Sequence, residues 1–137
     1  MPLTGGGDTQ TITTYLATDL TLTATSETEI TQMTTNITTG NSPVLIIFTA
    51  GIVHDVAGKN IFFRLKIDGT QKESCGGSTS WVYGEHAIAL HRLEVFSAGS
   101  HTIKIYYQID SGGSAKCRPA GYPLLEHMRL TIIEFKS

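Results

Sequence analysis

The sequence predicts an all-β fold, an antiparallel sandwich of about seven to nine short strands. Apolar and polar residues alternate along most of the chain, which is the pattern of half-buried strands. Clusters of Gly, Ser and Asp separate these segments and predict turns. No long segment shows the period of about 3.6 residues that a helix requires. Such sequences are commonly jelly rolls or immunoglobulin-like folds, and periodicity does not choose between them.

The first predicted strands lie in the amino-terminal third of the sandwich. Leu20 and Leu22 alternate with threonines, and Ile37 lies in a threonine-rich stretch that is typical of a half-exposed strand. Pro43 then opens the apolar run Val44–Phe48. This run predicts a central strand or one that is buried on both faces.

The later strands show the alternation more clearly. Ile61, Phe63, Leu65 and Ile67 alternate with Phe62, Arg64 and Lys66, and Ile103–Ile109 gives the clearest pattern in the chain. A strand is also expected over Trp81–Phe96; its segment Glu85–Phe96 is the one helical candidate, although its register suits a strand equally well. The chain closes with Met128–Phe135, which is again strand-like.

The amino-terminal segment differs in composition from the rest. Residues 1–40 hold 15 of the 20 threonines, and Gly5-Gly6-Gly7 forms a hinge-like run. The first 14 residues carry few large apolar side chains, so they gain too little burial to offset their ordering entropy. We therefore expect residues 1–14 to be an extended arm, flexible alone and ordered only against something else, and residues 15–137 to be the sandwich domain.

Composition excludes several classes of protein. With 137 residues, 40% of them hydrophobic and 16% charged, the chain suits one folded domain. Its longest apolar run is far shorter than the roughly 18 residues of a membrane span, and no secretory signal pattern follows Met1. The net charge is −2 and the basic residues are spread along the chain, so neither nucleic acid nor a membrane is an expected partner.

The chemical inventory predicts a non-enzymatic protein. The sequence contains no nucleophile elbow and no phosphate-binding glycine loop, so we expect no catalytic residues and no cofactor. His86 and His91 have the spacing of zinc ligands, but on one strand they face opposite sides. We therefore expect no metal site. The alternative is a symmetric oligomer in which one inward-facing histidine is repeated around the axis and binds an ion.

The two cysteines, Cys75 and Cys117, both lie in turn-like stretches. They could form one intrachain disulfide that staples two loops, remain as thiols, or bridge two subunits. Thiols are the default for a protein that is not secreted. The sequence leaves the three alternatives open.

Exposed aromatic side chains are the best candidates for contacts with a partner. Tyr106 and Tyr107 are adjacent, so on one strand only one of them enters the core and the other faces outward. The same argument applies to Phe62 and Phe63. The residues expected to bind a partner are Tyr106, Trp81, Tyr122 and Phe62.

Four segments in a fixed order carry a resemblance to a known group of proteins. They are residues 44–51 (VLIIFTAG), 63–70 (FRLKIDGT), 97–105 (SAGSHTIKI) and 129–135 (RLTIIEF). This succession resembles the small jelly-roll domains of tailed-virus structural proteins, which are similar in fold to the C1q and tumour-necrosis-factor heads. The likeness covers about two thirds of the chain. One departure is the segment Cys117–His127, which is longer than the usual loop before the last strand.

The resemblance implies a jelly-roll homotrimer with a structural role in a virion. The chain has no room for a long fibre shaft, whereas a compact body with a short arm suits a protein that decorates a shell. The expected function is therefore a trimeric capsid decoration (cement) protein of a bacteriophage. It would be made in the host cytoplasm and would bind the major capsid protein or other virion proteins. The alternative is a receptor- or glycan-binding head of a viral tail fibre or spike.

Overall fold

The computed structural model describes residues 8–118 and 127–136, which form an all-β fold. The elements in chain order are β1 (Thr9–Tyr15), β2 (Leu20–Leu22), β3 (Thr28–Glu29), a 3-10 turn (Thr31–Met33), β4 (Thr35–Thr39), β5 (Ser42–His54), β6 (Ile61–Ile67), β7 (Thr70–Gly77), β8 (Glu85–Phe96), β9 (Gly99–Ile109), β10 (Ala115–Cys117) and β11 (Met128–Phe135).

Two antiparallel sheets pack face to face as a jelly-roll sandwich. In sheet 1 the strands run in the order β1-β11-β5-β8, and β10 and β2 continue the sheet along the same edge of β5 as β11. In sheet 2 the order is β4-β9-β6-β7, with β3 beside β4 on the edge of β9. This topology decides between the two sandwich classes that periodicity left open.

The core lies between the sheets and follows the predicted alternation. Along β6, Ile61, Phe63, Leu65 and Ile67 are buried, and the residues between them are not. The ring centroid of Phe63 lies 5.3 Å from that of Phe48 on β5, which joins the two sheets at the centre of the core.

The two ends of the sandwich differ. At one end, the turn end, short turns at residues 40–41, 68–69 and 97–98 join neighbouring strands. At the other, the loop end, longer connections run over residues 55–60 and 78–84. The strand predicted from Trp81 therefore begins only at Glu85, because the residues before it form a loop.

The flexible arm expected over residues 1–14 requires a correction. Strand β1 pairs with β11 along its whole length, from Thr9 opposite Phe135 to Tyr15 opposite Arg129. Ile12 packs against the core, and the Gln10 amide, oriented to donate, bonds to Glu134. Glu134 belongs to the same chain and lies 124 positions after Gln10. The contacts that hold β1 therefore come from this chain and not from a second molecule. Residues 1–7 lie outside the described residues.

Ion pairs close one lateral side of the sandwich, where the edge strands β7 and β8 meet. Lys72 Nζ lies 3.0 Å from Glu94, and Arg92 bonds to both Glu73 and Glu94 at 3.2 Å. Charged side chains on neighbouring edges discourage the addition of a further strand. These charges therefore protect the edge of β8 against pairing with another strand. The outward face of β8 carries none of these ion pairs.

A charged clamp holds the turn end. His101 Nδ1 lies 2.6 Å from the carboxylate of Asp68, and Nε2 lies 2.8 Å from the carbonyl oxygen of Ser97. Both of these oxygens can only accept, so the ring makes both hydrogen bonds only when it is an imidazolium. The hydrogen bond to Asp68, and then the one to Ser97, raises the pKa of His101 above its usual value.

The clamp predicts a stability that declines with rising pH. Asn tolerates the positive φ of 51° at Asp68, so Asp68→Asn removes the charge without straining the turn. We expect a loss of about 1 kcal/mol of unfolding free energy, a value kept small because Asp68 is half-exposed. The full difference in unfolding free energy is expected below the unfolded His pKa of about 6.5. It shrinks as the pH rises through the pKa of His101 in the folded protein. Urea unfolding between about pH 5.5 and 8.5 measures it. A difference that stays constant over this range would contradict a charged His101.

Candidate assembly interface

The outer face of sheet 2 is polar and internally paired. Glu27 binds Lys66 and lies 3.5 Å from Arg64, and Glu29 lies 3.2 Å from Lys104. The hydrogen bond from Thr34, then the one from Lys104, keeps the pKa of Glu29 below its usual value, so it remains ionised. Burying this face against a partner would mean desolvating several charges, which opposes tight association.

The outer face of sheet 1 is apolar. At its centre Leu45 of β5 lies between Leu93 of β8 and Ile133 of β11 in the strand register. Leu93 and Val95 are each 63% exposed, and Phe135 is 42% exposed. We call this surface the apolar face; it consists of Pro43, Leu45, Ile47, Leu93, Val95, Ile133 and Phe135.

Neutral threonines of β1, β5 and β11 lie beside the apolar face. Along the outward positions of β1, β5, β8 and β11, the acidic and basic side chains are Glu85, His91 and Arg129. The Arg129 guanidinium lies over the ring of Tyr15, 5.1 Å from its centroid. A contiguous apolar patch with so few charges is uncommon on a monomer and marks a surface that gains free energy when it is covered.

A second exposed apolar feature lies at the loop end. Trp81 is 64% exposed and Tyr83 is 72% exposed, with Val82 between them. We call residues 81–83 the aromatic tip. The Thr79 hydroxyl donates to the Trp81 carbonyl at 2.9 Å, and Tyr83 adopts a positive φ of 60°. Bulky residues rarely adopt this conformation, so the surrounding bonds hold the tip in a strained shape.

The three described residues that are expected to bind a partner lie on two different surfaces. Tyr106 and Phe62 face outward from sheet 2, as their alternation with Tyr107 and Phe63 predicted, and Trp81 lies on the aromatic tip. The amino group of Lys66 lies 4.4 Å from the centroid of the Tyr106 ring, which covers part of that ring. Tyr122 lies outside the described residues.

Sequence reasoning missed the apolar face. The signal was present in β8, where Leu93 and Val95 alternate with the opposite parity to Ile88 and Leu90. When each strand is considered alone, an apolar residue on either face of the strand is interpreted as a core residue. Of the two alternatives for Val44–Phe48, the structure shows the central strand, because β5 lies between β8 and β11. Its outward residues are only partly buried and form the centre of the apolar face.

The described residues offer little reactive chemistry. They contain no group of three or more His, Cys, Asp or Glu side chains that could hold a metal ion. His86 faces inward and His91 outward, as their spacing on a strand predicted. No disulfide joins Cys75 to Cys117, and burial raises the pKa of the Cys75 thiol to about 11, which makes it a poor nucleophile. Within the same residues no helix is long and apolar enough to cross a membrane.

Comparison with known proteins identifies the fold. No protein-family model matches the sequence, and no curated protein matches it. The structure is similar to Eiger TNF from S. frugiperda, with a TM-score of 0.55 and 7% identity over 90% of this chain and 92% of that one. It is also similar to the PRD1 vertex protein P5, with a TM-score of 0.54 and 13% identity over 97% of this chain and 100% of that one.

A third similar structure is the infectious bursal disease virus VP2 subviral particle. Its TM-score is 0.53 and its identity 13%, over 96% of this chain and 38% of the VP2 chain. The present chain thus corresponds to less than half of that viral protein. At these identities the three likenesses show a shared jelly-roll fold, which hosts many functions.

Proposed function

We propose that this chain is a non-enzymatic structural protein of a bacteriophage virion, a homotrimeric capsid decoration (cement) protein. The observation that carries the proposal is the apolar face, because a protein built to stay monomeric does not expose such a patch. The face has few charges, so burying it against neighbouring copies of the chain around a three-fold axis leaves few charges without water. Two of the similar structures are viral, which favours a virion role; Eiger TNF is not, so particle binding has to be tested.

In this proposal the two outer faces have different tasks. The apolar face joins the subunits, and the polar outer face of sheet 2 remains accessible on the assembled trimer. Tyr106 and Phe62 lie on that accessible face and are the proposed contacts with the major capsid protein or other virion proteins. Three weak contacts on one trimer then give strong attachment through effective concentration.

The trimer predicts a specific native mass. Light scattering after size exclusion should give three times the 14.8 kDa of one chain. Leu93→Glu places a charge within the apolar face, beside the central Leu45, where burial without a partner costs about 3 kcal/mol, or roughly 100-fold in affinity. We expect this variant to be a folded monomer.

The matched control is Ser74→Glu, which adds the same charge on the outer face of sheet 2, opposite Arg64. It should keep the trimer mass. A wild-type monomer at every concentration, or a Leu93→Glu variant that keeps the wild-type mass, would contradict the assembly through this face.

Attachment to the shell is proposed to use the segment before β1, residues 1–7. Deleting residues 1–14 would also remove β1 and its bond to Glu134, so it would confuse anchoring with folding. Deletion of residues 1–7 avoids this. We expect the truncated chain to keep its trimer mass and unfolding temperature and to lose most of its binding to purified shells in a sedimentation assay. Unchanged shell binding would contradict the anchoring role.

The aromatic tip favours a second candidate function, a receptor- or glycan-binding head. Trp81 and Tyr83 offer exposed rings at one end of the molecule, where sugar rings or a receptor surface could stack on them. If this is the function, Trp81→Ala should abolish binding to host cells or polysaccharide and change the unfolding temperature by less than about 2 °C, because the side chain is exposed. A glycan array and a cell-binding assay in which the wild type binds nothing would dismiss this candidate.

A further inference from the structure

Two histidines stack on each other beneath the aromatic tip. His54, the last residue of β5, is 0% exposed, and His86, near the start of β8, is half-buried. Their ring centroids are 4.8 Å apart and their planes differ by 18°. Gly77 of β7 leaves room for the stack, because a Cβ there would lie 3.1 Å from Nε2 of His86. The pair therefore fills the loop end of the core.

The ring nitrogens of both histidines are buried and have no hydrogen-bond partner among the described residues. A neutral imidazole carries one N–H donor and one acceptor, so each ring leaves polar groups unpaired at a cost in stability. Stacked rings are poor ligands for one shared metal ion, because their lone pairs lie in nearly parallel planes and do not converge. Burying the two rings without hydrogen-bond partners does not stabilise the fold. A histidine can take up a proton near neutral pH, so we consider this role for the pair.

The same residues fix the aromatic tip through the backbone. The amide of Tyr83 donates to the carbonyl of His54 at 2.7 Å, and the amide of His54 donates to the carbonyl of Gly84 at 3.0 Å. Because Tyr83 has a positive φ, the tip needs these bonds to keep its shape. A displacement of His54 would break both of them together.

The surroundings keep the stack neutral near pH 7. Burial lowers the pKa of His54, the neighbouring His86 lowers it further, and Asp55 opposes both effects. Burial likewise lowers the pKa of His86. The Asp55 carboxylate is shared with the Ser114 hydroxyl at 2.9 Å and with Lys116 Nζ at 3.7 Å, so it compensates only part of a charge on the stack.

Within residues 8–118 and 127–136, the strands packed near the stack place no acidic side chain against it other than Asp55. From β7 the facing groups are Gly77 and Cys75, and the Cys75 thiol stays neutral because burial raises its pKa to about 11. Glu85 of β8 is exposed on the opposite face of the strand from His86. On β10, Cys117 faces the core and Lys116 faces away from it.

We propose that the His54–His86 stack is an acid-sensitive latch: the neutral rings hold the aromatic tip against the sandwich, and protonation of the pair releases it. Two stacked imidazolium rings repel each other, and both regain hydration when the loop opens. Since both folded pKa values lie below the unfolded value of about 6.5, stability at this end falls as the pH drops below 6.5 and continues to fall until the folded values are passed. The latch does not depend on the proposed virion role.

Hydrogen exchange of the purified protein tests the latch. Between about pH 7.5 and pH 5, after correction for the intrinsic rate, exchange of residues 78–86 should rise about ten-fold or more, while residues 99–109 keep their protection. The fluorescence anisotropy of Trp81, the only tryptophan, should fall over the same range. His86→Phe keeps a stacked ring and leaves His54 as the one titrating group of the pair, so its acid response should be several-fold smaller than that of the wild type.

Two further measurements keep the proposal open to refutation. Asp68→Asn removes a titrating interaction at the turn end and should retain the wild-type acid response of the tip. NMR titration of the wild-type imidazoles needs no variant: both rings should titrate below the usual pKa, together with the loss of protection at the Tyr83 amide. If both rings become protonated while the tip keeps its protection, or if His86→Phe retains the full acid response, the latch is wrong.

Discussion

Strand β5 is the constraint on which the rest of the structure depends. It pairs with β8 on one edge and with β11 and β10 on the other, so sheet 1 cannot form without it. Its inner residue Phe48 meets Phe63 of the opposite sheet, and its outward Leu45 and Ile47 form the centre of the apolar face. A strand that is apolar on both sides gains free energy when both sides are covered, and one sandwich covers only the inner one. The apolar surface on which the proposed assembly depends is thus already present in the composition of this strand.

How far the sequence predicts the fold depends on how local the determining interaction is. Ile61–Ile67 and Ile103–Ile109 were predicted because apolar residues fill every position of one parity and mostly polar residues fill the other. Strand β1 was not, because its order comes from pairing with β11 and from Glu134 near the other end of the sequence. The start of β8 was misplaced because a run of aromatic residues in a loop has the same composition as a strand.

The candidate site was harder to predict for a related reason. Adjacent aromatic pairs showed that Tyr106 and Phe62 face outward, because alternation alone decides this. The apolar face is assembled from three strands that are distant in sequence, and only the register brings Leu93, Leu45 and Ile133 into one row. Likewise, the stacking of His54 on His86 depends on the pairing of β5 with β8. Alternation within a strand predicts which face of the sheet a histidine lies on. It does not predict that His54 and His86, on two different strands, are in contact.

Acidification acts in opposite directions at the two ends of the molecule. At the turn end, His101 is charged in the folded protein, and lowering the pH favours that state. At the loop end, His54 and His86 are held neutral, and lowering the pH disfavours their burial. The two contributions to global stability therefore oppose each other, whereas locally they do not cancel, because the groups lie at opposite ends of the core. Under the proposed latch, acid weakens the loop end while the turn end and the apolar strands between them stay closed. An opening confined to one end would leave the proposed assembly through the apolar face intact.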